Sequence, residues 1–404
     1  MRGYEEKLER LVSWARGIPA PPYRIEAEIT DLCNSRCIFC WQRSSPRAID
    51  VDVSRELTRE QWLDLVRRTA AMGAREWHLC GGGEPLMRPD VSVDAMYLVK
   101  ELGMRGELTT NGTLFKPDVI EKLVRLGWDQ VEISMEAPDQ EVNNYLRGID
   151  YSFQNTTEAM RQFKFWKEKL GRDRPRVLIA GVLTTMNYRL LPEMMRFTHE
   201  TGCEKLSMNP IVISKPPYEP ARALKLNAEQ LAELPEICRE AKRIADALGL
   251  ETNIDDFIDT RYVGGTNKLD EVIKEDAHHA AASGFCAAHC YLPWQVMAIR
   301  PYGLVGPCVL FNDDESDSLD DYTIEEIWEG DYFNRIRRDI AAQDLPDYCA
   351  RCCPPFVIEG KNIQKALLEQ EKRGAFSVPG SLAHRGRSLL GRLKCMLRRR
   401  AGVE

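Results

Sequence analysis

Cys33, Cys37 and Cys40 lie in one short run, Ile29-Thr-Asp-Leu-Cys-Asn-Ser-Arg-Cys-Ile-Phe-Cys-Trp41. A 4Fe–4S cubane normally takes four thiolates, so a compact loop that offers three leaves one iron open to another ligand. Phe39, just before the last cysteine, gives the loop an apolar wall. Zinc is the competing metal. A structural zinc site closes four ligands, usually from pairs spaced by two residues, and no fourth Cys or His lies near this loop. A second set stands far downstream: Cys290, Cys308, Cys349 and Cys352. Taken alone, four thiolates there suit zinc or a closed cubane equally.

The elements that must position these thiols read as strands and helices in alternation. Strands are expected at 24–28, 76–80, 106–109, 130–134, 177–183 and 205–209. Helices are expected after Thr58, a plausible N-cap, and near 91–102, 117–126, 154–170 and 191–202. Six such βα units imply a parallel sheet flanked by helices, with the site at the C-terminal strand ends. The segment 214–284 differs, opening on a Pro-rich stretch at 215–220 and continuing as a strong helix at 227–248. Cysteines return from Cys286 to Cys353, which marks a small second domain. The expected division is an N-terminal helix or extension (1–22), a barrel (23–213), a helical linker or insertion (214–284), a cysteine-rich domain (285–360) and a basic helical tail (361–404).

The 404 residues carry 44% hydrophobic and 29% charged side chains, an ordinary soluble globular balance. A net charge of -7 argues against a nucleic-acid partner. No apolar run reaches the length of a membrane span, and the charged N-terminus lacks a signal-peptide core. Thirteen cysteines without an export signal point to a reducing cytoplasm and to metal binding.

After the second expected strand comes Gly82-Gly83-Glu84-Pro85, whose glycines let backbone approach a ligand closely. With the three-cysteine loop, this turn resembles the radical S-adenosylmethionine (SAM) superfamily over about residues 22–210. The resemblance implies an α/β fold, a partial (β/α)6 TIM-like barrel, and a cluster whose open iron holds the SAM amino and carboxylate groups. It places Gly82, Gly83, Glu84 and Pro85 at the SAM amino group. Thr110-Asn111-Gly112 matches the end of the third strand, and Ser134 with Arg147 matches the residues that take the carboxylate. The downstream cysteines resemble the auxiliary-cluster module called SPASM when full and twitch when short. Only Cys353 follows the last pair before the tail, which favours one auxiliary 4Fe–4S cluster on Cys290, Cys308, Cys349 and Cys352, with Cys286 and Cys353 as possible substitutes. Cys80, Cys203 and Cys238 read as buried small apolar residues, and Cys395 has no assigned role.

What the resemblance implies is reductive cleavage of SAM, driven by a one-electron donor such as flavodoxin or ferredoxin, to a 5′-deoxyadenosyl radical. The auxiliary cluster would take a second electron, giving oxidation of a small polar substrate such as a sugar or aminocyclitol. About two dozen residues precede the first strand, too few for the peptide-binding domain of many peptide-modifying relatives. A peptide maturase therefore stands as the alternative, beside a redox-neutral epimerase or dehydratase. A non-catalytic electron carrier has no use for the SAM turn. The substrate pocket is expected from inward strand side chains, the 215–220 stretch and residues 293–295. His78, His278 and His279 read as structural or solvated, and the acidic run 313–321 as a solvated loop. At the C-terminal end Leu389, Leu390, Leu393, Met396 and Leu397 share one face of a basic helix, suited to an anionic membrane surface or to a frayed tail.

Overall fold

The computed structural model describes residues 2–40, 51–211, 219–260, 263, 284–311, 313–352 and 354–374. His278, His279, Cys353, Cys395, the 215–218 stretch and the basic end of the tail lie outside them.

Parallel strands built by alternating residues form the frame: β1 (Arg24–Glu28), β2 (Glu76–Cys80), β3 (Arg105–Thr110), β4 (Gln130–Ser134), β5 (Arg176–Leu183) and β6 (Lys205–Pro210). Between them run α1 (Arg2–Ala15) before β1, then α2 (Arg59–Met72), α3 (Pro89–Glu101), α4 (Pro117–Leu126), α5 (Gln140–Arg147), α6 (Ser152–Leu170) and α7 (Leu191–Glu200). Thr58 caps α2 in a capping box with Gln61, and Gly73 ends it in the left-handed region. After α8 (Glu219–Ala223) comes α9 (Ala228–Leu248), capped by Asn227 and packed on α7, and then β7 (Glu251–Thr252), which pairs with β6. Residues 228–252 thus form the far edge of the same sheet.

The other edge belongs to the cysteine-rich segment. β8 (Val296–Ile299) pairs parallel with β1, β9 (Leu304–Gly306) returns antiparallel to it, and β10 (Asp317–Ser318) pairs with β9. The sheet order is β10-β9-β8-β1-β2-β3-β4-β5-β6-β7. The acidic run is therefore not only a solvated loop, since Asp317 and Ser318 close this ribbon. Helices Ile324–Trp328 and Asp331–Ala341 follow, and helix Pro354–Lys372 touches α1 and β6.

Residues alternate sharply across the sheet. Ile25, Ala27, Trp77, Leu79, Leu108, Val131 and Ile133 have no exposed surface and join the core shared with the helices. The opposite, inner face carries Arg24, Glu26, Glu76, His78 and Glu107. Arg24 forms ion pairs with Glu26, Glu76 and Glu107, while His78 joins its Nδ1 to Glu26 Oε2 at 2.6 Å and its Nε2 to Thr109 Oγ1 at 2.8 Å. Burial alone would raise the Glu26 and Glu107 carboxyls, but Arg24 beside them carries both below the usual range, Glu107 to about 2. Burial would likewise lower His78, and Glu26 reverses it, so His78 titrates above its ordinary 6.5.

The signs give a test. Depressed carboxyls stabilise the fold above their unfolded value of 4.5 and lose that contribution as pH falls towards about 2. His78 adds stability below pH 6.5 that is lost as pH rises through its higher folded value. Arg24→Met should cost about 3–5 kcal/mol at neutral pH by stranding buried carboxylates. In urea unfolding, its deficit relative to wild type should shrink as pH falls and those carboxyls protonate. A deficit that stays constant from pH 7 to pH 4 would show that Arg24 acts through packing alone.

Candidate functional site

Four strand ends and one helix end converge on the cysteine loop. β1 runs directly into it, and the glycine turn after β2 lies against it. Gly83 N–H donates to Thr30 O at 2.6 Å and Glu84 N–H to Leu32 O at 2.7 Å. A Cβ on Gly82 would stand 2.1 Å from Asp31 Oδ1, and one on Gly83 would stand 1.9 Å from Leu32 O. Only glycine permits that approach. On the other flank, Arg36 N–H donates to Arg147 O and Ile38 N–H to Leu146 O, each at 3.0 Å, using carbonyls left open at the end of α5. Gly148 caps α5 at φ +68, and a Cβ there would meet Arg36 O at 2.3 Å. Phe39 packs with Leu146, Ile211, Ala221 and Leu224, while Cys33 is exposed and Cys37 and Cys40 are half-buried.

Glu84 is buried, and its carboxylate is fully engaged within the protein. It accepts from Thr110 Oγ1 at 2.7 Å, from Asn111 N–H at 2.7 Å and from Leu86 N–H at 3.0 Å. Burial still raises its pKa against those bonds. The Asn111 amide donates to Asn34 Oδ1 at 2.8 Å, and Asn34 in turn donates to Thr113 Oγ1 at 2.8 Å. Glu84 and Asn111 therefore lock the turn, the end of β3 and the cysteine loop together. Pro85 opens the short helix Pro85–Met87 behind the turn. Glu56 braces the loop from below, accepting from Thr30 Oγ1 and Asp31 N–H.

Arg147 is 6% exposed and donates from Nη1 to Glu136 Oε1 at 3.2 Å. Its Nε–H is buried without a partner among the described residues. An unsatisfied guanidinium N–H is costly to bury, and a carboxylate is its natural partner. Glu136 holds Arg147 in place and also accepts from Val182 N–H at 2.7 Å. Ser134 stands half-buried at the end of β4. Burial pushes the Cys37 thiol up to about 12 and raises Cys33 as well, with Arg147 opposing in both cases. Thiols raised in this way become thiolates when a metal centre supplies the positive charge. Three thiols on one loop and an orphaned guanidinium beside them fit a cluster with an amino-acid ligand.

The second set also comes together. Cys290, Cys308, Cys349 and Cys352 line one cavity whose walls include Leu310 and Val357. Leu292 N–H donates to Cys290 Sγ at 3.5 Å. Burial pushes Cys290 up to about 12 and Cys308 to about 11. Four thiolates around one cavity suit a cubane, which takes each thiolate on a separate iron. Among the described residues, Glu26, His78 and Cys80 also bring three metal-type donors within 4.8 Å of one another. Glu26, His78 and Cys80 are the inner-face network, where Arg24 already supplies the cation, paired with Glu26.

Several side chains lie where the sequence pattern did not put them. Cys286 is buried in the main core cluster and is not among the residues lining the cavity, whereas Cys203 and Cys238 are buried in that cluster as their pattern implied. Cys80 is buried but polar in its contacts, its thiol 3.6 Å from Glu26 Oε2. Residues 293–295 cannot line the strand-end pocket. β8 runs parallel to β1, so they sit at its opposite, N-terminal end, where Gln295 O accepts from Tyr23 and Arg24 N–H. Asn34, Glu56 and Glu136 carried no motif. The alternation Arg24, Glu26, Glu28 along β1 was the one sequence signal for a charged inner face.

Residues 27–197 match the radical SAM superfamily, and residues 290–353 match the iron–sulfur cluster-binding domain known as SPASM. PqqA peptide cyclase of Gluconobacter oxydans is 24% identical over 83% of this chain and 84% of its own. AdoMet-dependent heme synthase of Methanosarcina barkeri is 32% identical over 36% of this chain, and the match spans only 40% of that protein. Streptococcus suis SuiB, solved with S-adenosylmethionine, aligns at a TM-score of 0.56 and 17% identity over 81% of this chain and 70% of its own. Among the described residues no helix is long and apolar enough to cross a membrane. The cysteine loop, the glycine turn and the four-cysteine cavity sit inside the two matched regions, and the chain belongs to the radical SAM superfamily with a SPASM-type iron–sulfur domain.

Proposed function

We propose that this enzyme modifies a peptide, using SAM at a 4Fe–4S cluster on Cys33, Cys37 and Cys40 and an auxiliary cluster on Cys290, Cys308, Cys349 and Cys352. The observation that carries the reading is the likeness to a peptide cyclase across both domains, 83% of this chain. It favours the peptide alternative over the sugar or aminocyclitol suggested by the short segment before β1. When bound, the cluster and SAM supply a radical able to take hydrogen from an unactivated carbon.

The chain's own residues do the positioning. The backbone carbonyls of the Gly82–Gly83 turn accept from the SAM ammonium, and Glu84 holds that turn against β3. Arg147, aimed by Glu136, takes the carboxylate through its free Nε–H, with Ser134 beside it. The inner face towards β5 and β6 offers the substrate Ser134, Ala180, Val182 and Ser207, half-buried on that side, with Glu132 and Lys205 earlier on the same strands. Facing them, the ion-paired floor of Arg24, Glu26 and His78 is polar but compensated. Such a cleft suits one side chain of an extended chain, with the backbone left at the strand ends.

Two measurements test this. Reconstituted anaerobically, the wild type should hold about eight irons per chain and the Cys33/Cys37/Cys40→Ala variant about four. A fall from about four to none would mean that the C-terminal cysteines hold no cluster. Incubation of the reduced enzyme with SAM and short peptides encoded beside its gene should give 5′-deoxyadenosine together with a peptide mass change. Turnover confined to sugars or aminocyclitols would overturn the peptide reading.

A further inference from the structure

β8 ends at Arg300, a cation that is 3% exposed and forms an ion pair with Glu28, itself fully buried at the end of β1. The same guanidinium donates from Nη2 to Phe311 O at 3.3 Å and lies 4.2 Å from the centre of the Phe311 ring. Phe311 is fixed in turn: its ring fills the space over Gly306, where a Cβ would stand 2.2 Å away, and its N–H donates to Cys308 O at 3.2 Å. Phe311 forms a small apolar cluster with Ala298 and Tyr348, and Cys308 and Cys349 pack against that cluster. The buried cation therefore lies against the cluster that two of the four cavity cysteines border. On its other side the cation is answered by a carboxylate on the strand that leads into the SAM loop.

We propose that the Glu28–Arg300 pair tunes the reduction potential of the auxiliary cluster, Arg300 raising it and Glu28 holding that effect in check. This rests on the reading that Cys290, Cys308, Cys349 and Cys352 hold a cluster. Reduction adds negative charge, and in a poorly screened interior a nearby cation stabilises the reduced form. Lys361 also borders the cavity but is only half-buried, so solvent screens it more. Both members of the pair are buried and act through the cluster, so they are positioning residues.

The test is potentiometry followed by electron paramagnetic resonance on the full chain. It uses the Cys33/Cys37/Cys40→Ala background, in which the auxiliary centre is the only cluster. Arg300→Gln should move its potential to more negative values and Glu28→Gln to more positive ones. The double variant, which keeps the shape and removes both charges, should return close to the parent, and Arg300→Lys should stay near it. A residue that merely supports the fold would shift both single variants the same way or strip their iron. Potentials that do not separate in sign while about four irons per chain remain would overturn the inference alone. A background variant that binds no iron would overturn the cluster reading and the inference with it.

Discussion

Two amide hydrogen bonds hold the site together: Gly83 N–H to Thr30 O and Glu84 N–H to Leu32 O. They set the backbone of one strand end directly against the loop of its neighbour, at a separation that no side chain on Gly82 or Gly83 would allow. Everything else in the site is arranged to keep that contact. Glu84 gives its carboxylate to β3, Asn111 reaches across to Asn34, and Glu56 ties down Thr30 and Asp31. The Glu84 carboxylate accepts three hydrogen bonds that hold the glycine turn against the end of β3.

Much of this was legible from the residues. Strands 24–28, 76–80 and 130–134 and helix 117–126 match the structure at both ends, because alternation and turn glycines mark them cleanly. The edges of the sheet were not legible. β7 has two residues and β8 has four, all of the latter buried, so neither carries a period long enough to read. Without β8, the cysteine-rich segment looks like a separate domain after a linker. With it, the Cys290–Cys308 segment is an extension of the barrel sheet through β1. Helix α5 was missed for a related reason. It is eight residues long, and its stop signal, Gly148, serves a contact with Arg36 that is far away in sequence.

The inner face shows a different limit of sequence reading. Arg24, Glu26, Glu76, His78 and Glu107 look like surface residues by type, yet they face one another across three strands. Buried charge is tolerable here because each carboxylate has a cation or a hydrogen-bond donor. The arrangement also explains why the tight Glu26, His78 and Cys80 group need not be a metal site. A metal would have to displace Arg24, whose removal would strand Glu76 and Glu107.

The direct pairing of β8 with β1 has a mechanical consequence for the two cysteine sets. One follows β1 and the other flanks the β8–β9 hairpin, so the route between them runs along two hydrogen-bonded neighbours and crosses no flexible linker. A rigid route fixes the spacing between the centres, and with it the space in which a substrate must fit. It also means that a charge placed between the strands acts on both sides. Glu28 is five residues upstream of Cys33, and Arg300 is eight upstream of Cys308. The pair they form is buried, so water screens it little. In a sheet this continuous, a change at the mouth of β1 reaches the auxiliary cavity through electrostatics before any domain needs to move.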